Sequence, residues 1–376
     1  MENIKMKLAI IALTRGGCRT ARRYGDLLPE ADIYLKREAA EMDPRQQTRR
    51  DEHHFECRLA ELMAEIYSQY DGFVMIMATG IVVRTIAPYI VHKTRDPAVV
   101  VMDEHGEYVI SLLSGHLGGA NDLARWLADI VPYMVQAVIT TSTDLNQQLA
   151  FDLLAKQNDC QIVNIEELKY ISGALVNGQK VAVSCCLPTL PRTDEWPAQL
   201  VDCYLQDDSP EPNLVFIDYH KAGFVNFPRA QHILQLVPRC LTLGVGCRRG
   251  VSAKALIEAA EQFLASNKIR PEAICKLCSI DIKAKEPGLI ALAEYLGVPF
   301  CTYGAAELRR QIEEVSLKDL SDFVELTTGT PSVSAAAATL GAGRGCFPLI
   351  EKEKYLGITF SLAKKIKCLS FPPNNK

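Results

Sequence analysis

The feature that most constrains this chain is an alternation of short apolar runs with segments of helical periodicity. The runs LAIIAL and GFVMIMA, residues 8–13 and 72–78, are apolar throughout, as expected of buried strands. Between them CRLAELMAEIYSQY, residues 57–70, repeats its apolar side chains at helical spacing. This alternation predicts an α/β fold with mainly parallel sheets that helices cover.

One pair of runs departs from the parallel pattern. VVVMD, residues 99–103, is followed by the turn EHGE and then by YVISLL, residues 108–113. The turn residues predict a hairpin in which the second run returns beside the first. The loop SGHLGGA then leads into a helix over residues 121–131.

The strength of these signals divides the chain into three sections. Residues 1–135 form the first predicted α/β domain, and residues 238–376, where the alternation is regular again, form a second. Between them, residues 136–237 contain many prolines and only short apolar runs, such as KVAVSCC and NLVFIDY. We therefore expect at least two α/β domains that a smaller, loop-rich middle section joins.

The composition excludes several classes of protein. The chain has 376 residues, of which 48% are hydrophobic and 23% charged, and this suits a folded protein of at least two domains. The net charge of -4 provides no general field for a phosphate backbone, so we expect no nucleic-acid partner. No apolar run approaches the ~20 residues that span a bilayer, and residues 8–13 are too few for a signal peptide. We expect a cytoplasmic protein without a membrane partner.

The 13 cysteines are expected to be reduced thiols, because their number is odd, their spacing is irregular and the chain shows no export signal. Cys275 and Cys278 form the one Cys-x-x-Cys pair, in a run with the pattern of a strand. Positions three apart on a strand point to opposite faces. We therefore expect no metal site there, and none elsewhere.

In open α/β sheets ligands bind where strands end and helices begin, and three such loops contain candidate residues. In the first, Thr79 and Gly80 connect GFVMIMA to a helix that carries Arg84. The N–H groups at the start of a helix favour a carboxylate, to which Arg84 could add a bidentate contact. A plain glycine turn, with Arg84 solvated or paired to an acid, is the alternative.

The second loop, SGHLGGA, combines glycines with one histidine. Its glycines let a ligand approach the backbone closely, and a histidine in such a loop can transfer protons near neutral pH. A structural histidine is the alternative, and Asn121 and Asp122 are also suited to cap the following helix. The candidate ligand-binding residues of this loop are Ser114, Gly115, His116, Gly118, Gly119 and Asn121.

The third loop, GVGCRRGVS, places Arg248 and Arg249 between a strand and a helix that Ser252 can cap. Together with Gly244 and Gly246, these arginines suit a ligand that bears several carboxylates. The glycine spacing is not that of the dinucleotide fingerprint, which disfavours a nucleotide-binding enzyme.

Residues 72–124, which contain the first two loops, closely resemble the N-terminal domain of the cobalt-precorrin-5A hydrolase (CbiG) family. Residues 139–155 are similar to the start of that family's middle section, and residues 241–256 and 279–300 resemble its C-terminal domain. One turn, SVSAAAA, departs from the family pattern, which has a glutamate where this chain has Ala335. The resemblance therefore places the chemistry in the N-terminal loops and makes the C-terminal glycine loop a substrate-binding surface.

The resemblance implies a cobalt-corrinoid substrate with many acetate and propionate groups and a δ-lactone that joins a ring A acetate to the methylated meso carbon. It implies that the enzyme opens this lactone and releases acetaldehyde, giving cobalt-precorrin-5B, and needs no cofactor because the cobalt belongs to the substrate. Methyltransferases of the same pathway are its expected protein partners. Basic residues would bind the carboxylates, namely Arg84, Lys93, Arg95, Arg248 and Arg249.

Opening a lactone requires a water molecule, a base that activates it and N–H donors for the oxyanion. We assign His116 as the base and the SGHLGGA backbone as the oxyanion site. The hydroxyl that is then freed would lose its proton to Asp103 or Glu104 as the neighbouring C–C bond breaks. All of these loops are expected to surround one macrocycle. The alternative is a carrier that passes the intermediate between methyltransferases without chemistry, since the same loops would serve it.

Overall fold

The computed structural model of the protein describes residues 6–41, 52–92, 95–116, 118–141, 149–204, 209–221 and 227–371. The chain forms two compact units, Met1–Gln148 (unit 1) and Leu149–Lys376 (unit 2). The domain boundaries at 135 and 237 stay predictions. Among the described helices, none has the length and apolar character that a membrane crossing requires.

Unit 1 contains one sheet with helices packed against it. Its strands are β1 (Leu8–Ala12), β2 (Asp32–Lys36), β3 (Glu52–Phe55), β4 (Gly72–Ile76), β5 (Ala98–Met102), β6 (Tyr108–Leu113) and β7 (Gln136–Val138). Its helices are α1 (Arg15–Leu27), α2 (Arg37–Glu41), α3 (Leu59–Ile66), α4 (Thr79–Ile86) and α5 (Ala120–Asp129). The strands lie in the order β3-β2-β1-β4-β5-β6-β7. This confirms the predicted α/β class.

The central strands β1, β4 and β5 are buried along their whole length, as their apolar runs predicted. Successive side chains of β1 point into two different cores. Ile10 belongs to the core that contains Tyr24 of α1, whereas Ile11 belongs to the core that contains Leu62 of α3 and Val82 of α4. Helices therefore cover both faces of the sheet.

The predicted hairpin is confirmed, because β5 and β6 pair antiparallel. Gly106 lies in its turn with a φ of 74°, a left-handed conformation that glycine adopts without steric cost. β7 pairs parallel with β6. The strands β6 and β7 consequently run opposite to the other strands of this sheet.

A buried ion pair links α1 to the edge strand β3. Arg22 donates to the two carboxylate oxygens of Glu52 at 3.0 and 2.7 Å, and His54 Nε2 lies 2.6 Å from the same carboxylate. The Glu52 side chain is fully buried. Burial alone would raise the pKa of Glu52, but the hydrogen bonds from Arg22 and His54 outweigh it and hold that pKa below its ordinary value.

The middle section contains a sheet of its own, where the sequence predicted mainly loops. Its strands are β8 (Cys160–Ile162), β9 (Val181–Cys185), β10 (Thr189–Leu190), β11 (Leu200–Asp202), β12 (Asn213–Ile217) and β13 (His232–Pro238), and its helices are α6 (Phe151–Gln157) and α7 (Leu168–Val176). The main sheet has the order β11-β9-β12-β13-β8 and is parallel except for β8. The two predicted strands, β9 and β12, are confirmed. Several of the others have only two or three residues, too few to show a pattern.

The C-terminal section follows the predicted alternation. Its strands are β14 (Leu241–Gly246), β15 (Ile274–Ile280), β16 (Phe300–Tyr303), β17 (Pro348–Tyr355), β18 (Ile358–Lys364) and β19 (Leu369–Ser370). Its helices are α8 (Ala253–Ser266), α9 (Pro287–Leu296), α10 (Ala305–Val315), α11 (Asp322–Thr328) and α12 (Ser334–Ala342). The sheet order is β16-β15-β14-β18-β17. The hairpin of β17 and β18 was not predicted; it turns at Leu356 and Gly357, which both have positive φ.

The middle and C-terminal sections share one core and belong to one unit. Only Arg239 and Cys240 separate β13 from β14, and Leu236 and Leu243 lie in the same hydrophobic cluster. The strand β19 pairs with β10, so the end of the chain returns to the middle section.

Helix α12 is almost completely buried, and its small residues let it lie directly against β14. A Cβ on Gly244 would come within 1.9 Å of the Ser334 carbonyl oxygen and within 2.9 Å of Ala338. Ala335 is 1% exposed. The run of alanines is therefore explained by packing, since larger side chains would separate the helix from the sheet.

Gly244→Ala should destabilise unit 2 by about 2 kcal/mol, since α12 must move to admit the new methyl group. Gly173, inside α7, has no atom within 4 Å of the Cβ position apart from its chain neighbours and the backbone of its own helix, so Gly173→Ala should be neutral or stabilising. Urea unfolding followed by far-UV circular dichroism measures both variants. Equal stabilities would contradict the packing explanation.

Glu52→Gln should lower the free energy of unfolding by about 3 kcal/mol near neutral pH, because Arg22 loses the buried negative charge of Glu52. The pKa of Glu52 is lower in the folded than in the unfolded protein, so the ionised carboxylate stabilises the fold above the unfolded-state pKa. This stabilisation is lost as the pH falls through the folded-state pKa. In urea unfolding measured at decreasing pH, the variant should therefore lose less stability than the parent protein. Glu61→Gln, which removes an exposed ion pair with Arg58, is the matched control and should change little.

Candidate functional site

The candidate site lies at the carboxyl edge of the unit 1 sheet, between β1 and β4. The chain passes from β1 to β2 and β3 on one side and then crosses to β4 on the other. At such a reversal the loops diverge and leave a crevice in which ligands bind. A cavity of about 400 Å³ lies here, and its lining includes Thr14, Thr79, Asp103, Glu104 and Tyr108.

Helix α1 begins at this crevice, directly after β1. Thr14 Oγ1 caps the helix by accepting a hydrogen bond from Gly17 N at 3.0 Å. The same hydroxyl donates to Glu104 Oε2 at 2.9 Å. Gly16 leaves room for that carboxylate, because a Cβ there would lie 2.8 Å from Glu104 Oε2. Thr14 thus fixes both the first turn of the helix and the position of an acid.

Helix α4 begins on the other side of the crevice, which confirms that Thr79 and Gly80 connect a strand to a helix. The N–H groups of these first two residues have no acceptor within the helix and suit a ligand anion. Arg84 Nη1 donates to the Gly80 carbonyl at 3.0 Å, and the Arg84 side chain is exposed. The three predicted residues of the first loop therefore lie together.

Asp103 organises the turn of the β5–β6 hairpin. Its carboxylate accepts five hydrogen bonds, at 2.8 to 3.3 Å, from the backbone N–H groups of the four residues that follow Glu104. A carboxylate that is occupied in this way holds the backbone and is poorly placed to take a proton from a substrate. Of the two predicted acids, Glu104 is therefore the better candidate.

Glu104 lies on the same turn and is held by α1 at more than one point. Its backbone carbonyl accepts a hydrogen bond from Thr20 Oγ1 at 2.7 Å, and Arg23 donates to the His105 carbonyl at 2.8 Å. Its side chain is exposed and lines the cavity. The acid is thus oriented by the protein yet accessible to a ligand.

His116 lies at the opposite edge of the sheet. Since β6 runs back antiparallel to β5, its last residue, Leu113, lies at the end of the sheet where β1 begins. The six residues of β6, at about 3.4 Å each, put this loop about 20 Å from Glu104. A Cβ added to Gly119 would lie 3.9 Å from Met6, which precedes β1, and this agrees with a loop at that end of the sheet. The structure therefore does not bring His116 together with Asp103 and Glu104.

The loop around His116 uses several of its own N–H groups. Ala120 N donates to the Ser114 carbonyl, Gly119 N to that of His116, and Asn121 N to that of Gly115. These three N–H groups are not available for the predicted oxyanion site, because the loop folds back on itself. Gly115 and Gly118 remain as candidate donors in the described part of the loop.

Asn121 has a structural role that the sequence did not reveal. Helix α5 has Gly119 as its N-cap, so Asn121 lies inside the helix and does not cap it. The Asn121 side chain is buried, accepts a hydrogen bond from Ser111 at 2.6 Å and donates to Thr141 at 3.2 Å. A Cβ on Gly118 would lie 2.3 Å from that of Ser114, so this glycine is also required by packing.

Thr14, Gly16 and Tyr108 belong to the site but were not predicted from the sequence. A signal was present, because an apolar strand is followed by Thr-Arg-Gly-Gly and then by a helix. This pattern is similar to the Ala-Thr-Gly that follows β4. Tyr108 had no signal, since it lies on the exposed side of the hairpin.

The glycines of the C-terminal loop are also explained by packing. Gly244 lies against α12, and a Cβ on Gly246 would lie 2.4 Å from Thr359 Oγ1 on β18. Arg248 and Arg249 are exposed on the loop that follows. The substrate-binding role of these four residues stays a prediction.

The remaining candidates are dispersed. Arg95 is exposed, and Lys93 lies outside the described residues. Cys278 is buried and Cys275 is partly exposed, and burial raises the pKa of Cys278 to about 12. Within the described ranges, no three His, Cys, Asp or Glu side chains are grouped so that they could hold a metal ion.

Three family models match consecutive parts of the chain. They are described as cobalamin synthesis G N-terminal, cobalamin biosynthesis central region and cobalamin synthesis G C-terminus. They match residues 61–144, 149–238 and 241–363.

Similar proteins extend over almost the whole chain. The cobalt-precorrin-5A hydrolase of Priestia megaterium is 30% identical and covers 94% of both chains. That of Salmonella typhimurium is 33% identical over 90% of this chain and 93% of its own. A solved structure of a cobalamin biosynthesis protein G homolog from Sulfolobus solfataricus covers 95% of this chain and 97% of its own, at 20% identity and a TM-score of 0.36.

Asp103→Ala should lower the free energy of unfolding by about 2–3 kcal/mol, because charged hydrogen bonds to several N–H groups of the turn are lost. Glu107→Ala, which removes an exposed carboxylate from the same turn, should change stability by less than about 0.5 kcal/mol. Urea unfolding of both variants makes the comparison. If Asp103→Ala proved as stable as the parent, the carboxylate would not hold the turn.

Proposed function

The chain belongs to the cobalt-precorrin-5A hydrolase family, and we propose on that premise that it opens the δ-lactone of cobalt-precorrin-5A and releases acetaldehyde. Two relatives of that name support the proposal, at 30% and 33% identity over 94% and 90% of this chain. They favour an enzyme over a carrier that only binds the corrinoid. We also propose that the protein acts in the cytoplasm, that methyltransferases of the same pathway are its partners, and that it needs no protein-bound cofactor.

The observation that carries the mechanism is the crevice between β1 and β4. Helix α4 begins there with N–H groups that suit an oxyanion, and Glu104, which accepts a hydrogen bond from Thr14 at 2.9 Å, lines the same cavity as Thr79. A carboxylate that is oriented but accessible suits a base that acts on a water molecule. The crevice therefore contains two of the components that lactone hydrolysis needs.

The first step opens the lactone. Glu104 takes a proton from a water molecule, and the water oxygen adds to the lactone carbonyl carbon. The N–H groups of Thr79 and Gly80 stabilise the negative charge that develops on the carbonyl oxygen. The acyl C–O bond then breaks and the proton passes from Glu104 to the departing oxygen, which becomes a free hydroxyl. The carboxylic acid formed at the same time loses its own proton to solvent and becomes a carboxylate.

The second step releases acetaldehyde. The free hydroxyl gives its proton to Glu104 while the C–C bond between its carbon and the macrocycle breaks. A C=O bond forms in the acetaldehyde, and the electron pair of the broken bond enters the conjugated macrocycle. One carboxylate thus serves both steps, because it is again ionised after the first.

The other carboxylates of the substrate require basic groups. Arg84 is exposed on α4, close to the first turn of that helix, and can receive one of them. We propose that Arg95 and Lys93 in unit 1 and Arg248 and Arg249 in unit 2 bind others. Exposed arginines suit this task because the planar guanidinium matches a carboxylate in shape.

Glu104→Gln should reduce the release of acetaldehyde by about 100-fold or more, because the amide keeps the shape of the side chain but cannot accept the proton. The assay incubates purified protein with cobalt-precorrin-5A and measures acetaldehyde. Glu107→Gln is the matched control, since it changes another exposed carboxylate on the same turn and should retain turnover.

His116→Ala, assayed in the same way, decides between the two edges of the sheet. Loss of turnover in His116→Ala with full turnover in Glu104→Gln would move the reacting centre to the SGHLGGA loop. A parent protein that binds the intermediate and releases no acetaldehyde would establish the carrier instead.

A further inference from the structure

A second crevice lies at the carboxyl edge of the middle sheet, in unit 2. The chain runs from β9 to β11 on one side of β9 and then crosses to β12 on its other side. This is the same kind of reversal that opens the crevice between β1 and β4. A cavity of about 440 Å³ lies at this edge of the sheet, lined by the ends of β9 and β11 and by the loop that follows β9, and its volume is typical of small-molecule sites.

The loop that forms one wall of this cavity, residues 186–197, is held by the end of the chain. Leu369 N donates to the Pro188 carbonyl at 2.8 Å, and Phe371 N donates to the Leu190 carbonyl at 2.7 Å. The Phe371 ring also stacks on Trp196, with 4.6 Å between the ring centres. The wall is therefore preformed, and a ligand would not have to order it.

The lining is mainly apolar, and it includes Trp196, whose indole donor has no partner in the described part of the chain. Trp196 is 3% exposed, and its Nε1–H makes no hydrogen bond to any described residue. A buried N–H without an acceptor is costly, so an acceptor group of a ligand would be favoured beside it. Cys185 lies next to this wall, and burial raises its pKa to about 12, so the thiol stays neutral.

The rim of the cavity is polar and carries one basic side chain, Arg192, and one acidic side chain, Asp202. Arg192 lies 3.5 Å from Asp194, and both side chains are largely exposed, so this ion pair is weak and easily exchanged for a ligand. Thr189 and Thr193 add hydroxyl groups on the same side. An apolar interior with a guanidinium at the mouth suits a flat ring that carries a carboxylate.

We propose that this cavity is a second binding site, which takes one edge of a carboxylate-bearing tetrapyrrole against Trp196, with the carboxylate on Arg192. The choice of ligand rests on the proposed function, whereas the site is defined by its own lining. This second site would let the protein hold the substrate or the product outside the crevice between β1 and β4.

Tryptophan fluorescence can test the site directly, because the chain has only two tryptophans. Trp126→Phe leaves Trp196 as the reporter, and uroporphyrin III serves as a probe that carries eight carboxylates but has no lactone. We expect saturable quenching of Trp196. Arg192→Glu in the same background should weaken binding at least tenfold. Arg58→Glu is the matched control, because Arg58 is as exposed as Arg192 and also lies in a surface ion pair, and the Kd should stay within twofold.

Absence of saturable quenching, or the same Kd in Arg192→Glu and Arg58→Glu, would overturn the second site. Far-UV circular dichroism of each variant shows whether it is folded. The acetaldehyde assay keeps the two proposals separate. Turnover without a response of Trp196 rejects only the second site, whereas Arg192-dependent binding without acetaldehyde rejects only the hydrolase function.

Discussion

The parallel pairing of β1 with β4 is the constraint on which the candidate site of unit 1 depends. It places two helix starts beside each other, although their strands are distant in the sequence. The carboxylate of Asp103 adds the third part, because it fixes the turn from which Glu104 reaches Thr14. The backbone of the sheet thus determines where the two helices and the turn meet, and the side chains of the site lie at the edge that these elements form.

The sequence allowed the buried strands and the hairpin to be predicted, because a strand covered on both faces is an uninterrupted apolar run. It did not allow Thr14 and Gly16 to be recognised, since their role arises only when Glu104 packs against α1. The position of His116 was open to prediction, because the expected hairpin already sends that loop to the other edge. Steric contact with α12 and β18 requires the glycines 244 and 246, and this contact could not be seen in the sequence; the ligand-binding role predicted for them stays a prediction.

The middle section shows why short strands escape recognition. Its strands β8 and β11 have three residues each, so neither apolar alternation nor an apolar run can develop in them. Their pairing is determined by longer neighbours such as β9, which is fully buried. The resulting sheet repeats the reversal seen in unit 1, and in both sheets a cavity lies at the carboxyl edge.

The single hydroxyl of Thr14 accepts from the first turn of α1 and donates to Glu104. Fraying of that turn and release of the acid are therefore coupled equilibria. A compound that holds Glu104 in place would also protect the start of α1, and mild denaturant that loosens the start of α1 would free the acid. Loss of activity on heating would then precede melting of the sheet.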